Sequence, residues 1–185
     1  MLEQITPPAA LAVPPQTLAE HLHLNTASPE LDETETLERL IEAATAAIER
    51  QVQTALIMQT WRWSTTSWRG PLPLNPVAAI ENIEIIDPHG ETENWNGWFL
   101  VHAPCPRVGT RKGQTRPSIP SDGYAQITFT AGYGTGWTDV PPDLRHAVTL
   151  LAAYYFEHRE GQIDQHAALP SGVTSLIAPS RPRRL

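Results

Sequence analysis

The side chains that could do chemistry are few and poorly spaced for it. Seven histidines are the first candidates. His21 and His23 stand two apart, which on a helix points them to different sides. His146, His158 and His166 lack the His-Glu-x-x-His spacing that brings two imidazoles to one metal. A surface or half-buried structural role is the expectation for each. The single cysteine, Cys105, excludes an internal disulfide and any multi-cysteine metal site. Between Pro104 and Pro106 it reads as a small apolar loop residue. No Gly-rich phosphate loop opens a helix, and no Gly-x-Ser-x-Gly elbow presents a nucleophile. No catalytic, metal-binding or cofactor-binding residue is assigned, no cofactor is expected, and the chain is not read as an enzyme.

Six tryptophans, Trp61, Trp63, Trp68, Trp95, Trp98 and Trp137, carry the next candidate chemistry. Aromatic platforms stack sugars or bases, so one reading is a binding module for glycan or single-stranded nucleic acid. The other is that these rings fill a core or a subunit interface, and that reading is preferred.

Charge narrows the partners. The net charge of −7 disfavours a surface that grips nucleic acid everywhere. Glu30 to Arg50 holds seven carboxylates (Glu30, Asp32, Glu33, Glu35, Glu38, Glu42 and Glu49) against Arg39 and Arg50, a net −5. Positive charge concentrates instead in Arg107 to Gly123, with Arg107, Arg111, Lys112 and Arg116, and in the tail, with Arg181, Arg183 and Arg184. No apolar run is long enough to span a membrane. The N-terminus lacks the basic-then-apolar order of a signal peptide, so synthesis in a cytoplasm is the expectation. Gly132-Tyr133-Gly134 shares letters with an ion-channel filter but, without membrane helices, reads as a turn.

The elements that must position these residues follow from periodicity. At 185 residues with 41% hydrophobic and 18% charged side chains, the chain suits one domain with a real core. Met1 to Pro15 reads as a Pro/Ala-rich arm and Gln16 to Leu24 as a short helix. Leu37, Leu40, Ile41, Ala44, Ile48 and Val52 recur at helical spacing, which predicts a helix over Glu33 to Thr54. Asp32 and Glu35 stand in capping-box positions at its start. Strands follow at Ile57 to Trp68, Ile80 to Ile86, Trp95 to Val101 and Tyr124 to Ala131. Asp87-Pro88-His89-Gly90 has the composition of a type I turn. Arg107 to Gly123 reads as a long mobile loop. A second helix is predicted over Pro142 to Glu160, with prolines in its first turn and Gly161 beyond its end. Ser171 to Ala178 reads as a last short helix stopped by Pro179. The order predicts an α+β fold, two main helices packed with a small antiparallel β-sheet, with an extended N-terminal arm and a C-terminal tail. Residues 1–178 are expected to form a single domain and 179–185 a basic tail.

Five ordered cues carry a resemblance. The first is Ile41-Glu42-Ala43-Ala44 leading to Ala55-Leu56-Ile57 and Gln59-Thr60-Trp61. The second is Leu74 and Pro76-Val77 before Ile80 to Ile86, Asp87 and Gly90. The third is Phe129-Thr130-Ala131-Gly132-Tyr133-Gly134, then Val140-Pro141 and Leu144-Arg145. The fourth is Tyr155 with Glu157-His158-Arg159-Glu160. The fifth is Leu169-Pro170, Gly172-Val173, Leu176-Ile177-Ala178-Pro179 and Arg181. From about Leu18 to Arg181 the chain resembles the head-tail connector (adaptor, or head-completion) proteins of long-tailed double-stranded DNA phages and gene transfer agents. It departs from that pattern at Ser180, where an aromatic is common, and in the length of the 107–123 loop.

The resemblance implies a structural virion protein at the neck, assembled in the host cytoplasm. It implies a ring of twelve copies beneath the capsid portal, with a stopper or tail-terminator protein on the other face. DNA would pass through without sequence-specific binding. Pro179, Arg181, Arg183, Arg184 and Leu185 are expected to contact the portal. Arg107, Arg111, Lys112 and Arg116 are expected to meet a neighbouring subunit or the tail.

Overall fold

The computed structural model of the protein describes residues 1–24, 31–103, 105–158 and 169–181. The chain forms two compact units, each assembled from two separate stretches. Met1–Ala9 with Met58–Tyr133 make a sheet unit; Ala10–Ile57 with the described residues from Gly134 onward make a helical unit. The class is α+β, as the element order implies.

The helical unit contains α1 (Pro15–His21), α2 (Leu31–Val52), α3 (Pro142–Glu157) and α4 (Ser171–Ile177). Pro15 and Pro142 occupy first-turn positions, where a missing N–H costs nothing. In α2 the stripe Leu37, Ile41, Ala44, Ile48 and Val52 is buried against Leu144, Val148 and Leu151 of α3, with Leu18 and Ile177 closing the cluster. Each such Leu or Ile contributes about 1.5–3 kcal/mol by leaving water. After α2 the chain turns on Gln53, at φ 51, and the Leu56 N–H donates to Glu49 Oε1 at 2.7 Å. Glu49 therefore belongs to the helix exit. The capping residue Asp32 and the terminator Gly161 lie outside the residues whose side chains are described.

The sheet unit holds five antiparallel strands in the order β1-β2-β7-β3-β4: β1 (Leu2–Thr6), β2 (Gln59–Thr65), β3 (Val77–Ile86), β4 (Thr92–Asn94) and β7 (Tyr124–Ala131). A separate hairpin pairs β5 (Trp98–Val101) with β6 (Arg107–Thr110). On β7 strict alternation buries Ala125, Ile127, Phe129 and Ala131. Their partners on β3 are Ile85, Ile83, Ile80 and Val77. The spacing from Val77 to Ile80 to Ile83 is three, not two. Register shifts between Val77 and Ala79, and between Ile80 and Asn82, absorb the extra residues, so all four face one side. The Asp87 turn forms as expected: the Gly90 N–H donates to Asp87 O at 3.1 Å, and the Asp87 carboxylate accepts the N–H groups of His89 and Glu91.

Three expectations change in detail. Part of the N-terminal arm is a strand, β1, paired antiparallel with β2. Thr92–Asn94 form an edge strand. Residues 107–110, read as loop, are β6.

Candidate functional site

The basic segment is held in place by backbone pairing. Trp98 pairs with Thr110, Phe99 with Gly109, Leu100 with Val108 and Val101 with Arg107. The Arg111 N–H donates to Gly97 O at 2.8 Å, extending the ladder one step. Paired residues in an antiparallel ladder share a face. Gly97, Phe99 and Val101 thus lie on the same face as Arg107, Gly109 and Arg111. The phenyl ring of Phe99 crosses the bare Gly109: a Cβ there would lie 2.5 Å from Phe99 Cζ. Phe99 is 43% exposed, and Arg107 and Arg111 are exposed. The face is an aromatic ring with an arginine at each diagonal.

The other face of the hairpin is spent on folding. Arg116 donates through Nε to Thr110 Oγ1 at 3.2 Å and through a terminal nitrogen to Val108 O at 2.9 Å. Its guanidinium lies 5.8 Å from the centre of the Trp68 ring. Trp68 donates to Pro117 O at 2.8 Å and meets Trp95 edge-on at 5.3 Å. The four cations grouped by sequence therefore separate: Arg107 and Arg111 share the exposed face, Lys112 sits exposed in the following turn, and Arg116 is a structural pin. Among the described residues, Arg107, Arg111 and Lys112 enter none of the ion pairs, which join Arg39 to Glu35 and Arg62 to Glu3.

The tryptophans do not gather into one surface. Trp95 is buried and Trp68 is engaged by it and by Arg116. Trp61 and Trp63 lie half-buried on β2, paired with Phe129 and Ile127. Trp137 belongs to the helical unit, where the Arg145 guanidinium stacks 4.9 Å from its ring centre. The turn that carries it is tight: the Gly136 N–H donates to Asp139 Oδ2 at 3.1 Å, and the same carboxylate fills the space beside Gly134. That packing requires the glycine at position 134, and a φ of 139 requires the one at 132.

The carboxylates of α2 form a stripe. Glu35, Glu38 and Glu42 stand at i, i+3 and i+7 beside the buried face; Arg39 pairs with Glu35 and leaves Glu38 and Glu42 without a cation among the described residues. At the other end of the chain, Ile177 is buried and Ala178–Ser180 form a 3₁₀ turn, which leaves Pro179 and Arg181 exposed. Arg183, Arg184 and Leu185 lie outside the described residues. Phe99 was not singled out from sequence; its signal is the glycine opposite it, visible only once β6 is known to be a strand.

The phenol of Tyr155 is clearly shifted. Burial raises the Tyr155 phenol above its ordinary value of 10.0, Arg50 opposes the rise, and Tyr154 adds to it. Among the described residues no three His, Cys, Asp or Glu side chains gather as a metal site. Among the described residues no helix is long and apolar enough to cross a membrane.

No family model and no curated protein matches the chain. Solved structures do. A chain in the neck of an empty gene transfer agent (GTA) particle, computed with C6 symmetry, is 37% identical, with a TM-score of 0.84. A chain in the virion of a native GTA particle is 34% identical, with a TM-score of 0.82. A chain in the neck of a native GTA particle, computed with C12 symmetry, is 35% identical, with a TM-score of 0.78. Each alignment covers 100% of this chain and 97% of the other.

Proposed function

The chain belongs to the head-tail connector proteins found in particle necks, and from that membership we propose that it forms a ring beneath the capsid portal, joining the DNA-filled head to the tail. The observation that carries this reading is likeness along the whole length to chains in the necks of gene transfer agent particles, at 35–37% identity. The role is structural and no substrate is turned over. Two features of the chain agree with it. A ring needs two different surfaces on each copy, one for each neighbour, and the chain carries a basic hairpin face and an acidic helix stripe. A net charge of −7 lets DNA slide past a pore without sticking to it.

The finer assignments are parts of the same proposal. Twelve copies form the ring, and residues 1–178 act as a single connector domain although they fold as two units. The segment from Pro179 through Arg181, Arg183, Arg184 and Leu185 docks on the portal protein. The hairpin and the turn after it meet a neighbouring subunit or a tail component through Arg107, Arg111 and Lys112, with Arg116 supporting them from the other face. A stopper or tail-terminator protein covers the opposite face.

The test is electron microscopy of particles from producing cells that lack this protein. Filled heads and unjoined tails are expected, which places the protein after packaging and before tail attachment. Complete tailed particles would overturn the connector role. Removing Arg181 to Leu185 leaves the fold intact, because Ile177 already closes the core, and blocks joining. A tryptophan platform for glycan or single-stranded nucleic acid gains nothing from Trp95, which is buried, or from Trp68, which Trp95 and Arg116 cover.

A further inference from the structure

We infer that the exposed face of the β5–β6 hairpin grips the next copy of this chain in the ring, with Phe99 as the apolar anchor, Arg107 and Arg111 at its flanks, and the Glu35, Glu38 and Glu42 stripe on the neighbour's α2 as the counterpart. The inference rests on the ring reading above. It commits the basic segment to one partner where that reading leaves a neighbour and a tail component open.

The first support is the make-up of the face. A phenyl ring laid flat over a glycine and left 43% exposed adds little to folding. Aromatic and arginine side chains are enriched at the centres of interfaces, where a few residues carry most of the binding energy. The register that sets Arg107 and Arg111 at the diagonals of Phe99 builds such a centre on a rigid two-stranded frame. Arg116, pinned on the other face by Thr110 and Val108, braces it.

The second support is complementarity. Arg107 and Arg111 lack a carboxylate among the described residues, and Glu38 and Glu42 lack a cation. Desolvating either set against an uncharged partner costs free energy, whereas facing the two sets offsets that cost. The dimensions agree. Glu35 to Glu42 spans about 10 Å of helix at 1.5 Å per residue, and Arg107 to Arg111 spans about 13 Å of strand. Hairpin against hairpin would oppose arginines, and stripe against stripe would oppose carboxylates. A contact between two unlike surfaces is the kind that closes a ring.

The experiment uses the full-length protein supplied to producing cells that lack it, with tailed particles counted by microscopy and each purified variant checked for an unchanged melting curve. Arg107→Glu with Arg111→Glu should lower tailed particles by on the order of tenfold, as like charges are brought together. Glu38→Arg with Glu42→Arg should do the same. All four changes in one chain should restore the count to near the unmodified level, because the pair is inverted, not lost. Phe99→Ser should lower the count without being rescued by the four changes. Two charge-reversed chains that each fail and do not recover together would overturn the pairing while leaving the connector role standing. Two that each assemble normally would also overturn it. If Arg107→Glu with Arg111→Glu lowers retention on duplex DNA but leaves the count unchanged, the occupant is nucleic acid and the inference falls. Complete tailed particles in the absence of the protein would bring down the connector reading itself, a separate outcome.

Discussion

In the helical unit, Leu18, Ile41, Ile48, Leu144, Leu151 and Ile177 are all fully buried. In the sheet unit, Ile83, Ile127 and Phe129 are equally buried, yet the hairpin beside them leaves Phe99 outside between two arginines. Both units have a closed core, so a lack of room does not explain the exposed ring. The difference teaches where stability ends and another requirement begins. Core positions answer to packing, whereas the hairpin face is organised by register, rigidity and charge in a way that folding does not demand.

The comparison breaks first at the cores. Phe129→Ala should destabilise the protein by about 3–5 kcal/mol and Leu151→Ala by about 2–5 kcal/mol, since each removes a fully buried side chain and leaves a cavity. Chemical denaturation measures both. Amide exchange sharpens the result. Phe129→Ala should speed exchange first in β2, β3 and β7, and Leu151→Ala first in α2 and α3. Uniform acceleration in both variants would show that the units open as one, and the contrast drawn between them would fail.

Next in size is the turn that leads into α3. A Cβ at Gly134 would overlap the Asp139 side chain, which accepts the Gly136 N–H. Gly134→Ala should therefore cost about 1–3 kcal/mol, the usual range for forcing atoms into a packed site. Gly134→Ala combined with Asp139→Gly relieves the overlap and should recover part of the loss. An additive loss would mean that the glycine acts through its backbone alone.

What the sequence made legible follows the same division. The helices could be placed because Leu37 to Val52 and Leu144 to Tyr155 repeat at the helical period, and burial enforces that repeat. β7 could be placed because it alternates without a break. β1 could not: all five of its residues are exposed, so no alternation marks it. β3 was shortened because two register shifts disturb the period of two. β4 and β6 are short and polar or glycine-bearing, and without β6 the register that joins Arg107 to Arg111 and separates both from Arg116 has no trace. The cations themselves were evident; their sorting between a free face and a structural pin depended on pairing 10 residues apart, Phe99 to Gly109.

Smaller still in stability is the hairpin face. Phe99→Ser and Arg107→Ser should each change unfolding free energy by less than about 0.5 kcal/mol, as surface substitutions do. A loss comparable to Leu151→Ala would make Phe99 a core residue and remove the basis of the contrast. Gly109→Ala sharpens it differently, because the added methyl pushes the phenyl ring off the strand while leaving every charge in place. It should weaken assembly with the fold preserved.

The smallest effect is titration of the helical unit in alkali. Tyr155 is half-buried on α3, and burial, the largest cause, holds its phenol above the ordinary value of 10.0 despite the opposing Arg50 guanidinium. A folded-state value above the unfolded one means that the unfolded chain gives up this proton first. The stabilisation it represents is fully present below pH 10 and is lost as pH rises through the folded-state value. Denaturation midpoints should therefore fall above pH 10, and Tyr155→Phe, which keeps the ring and removes the proton, should flatten that decline. Phe99→Ser should leave the slope untouched, since no ionisable group of the hairpin is involved. An unchanged slope in Tyr155→Phe would assign the alkaline loss to other groups and show that the phenol is no more costly to ionise in the folded unit than in the unfolded chain.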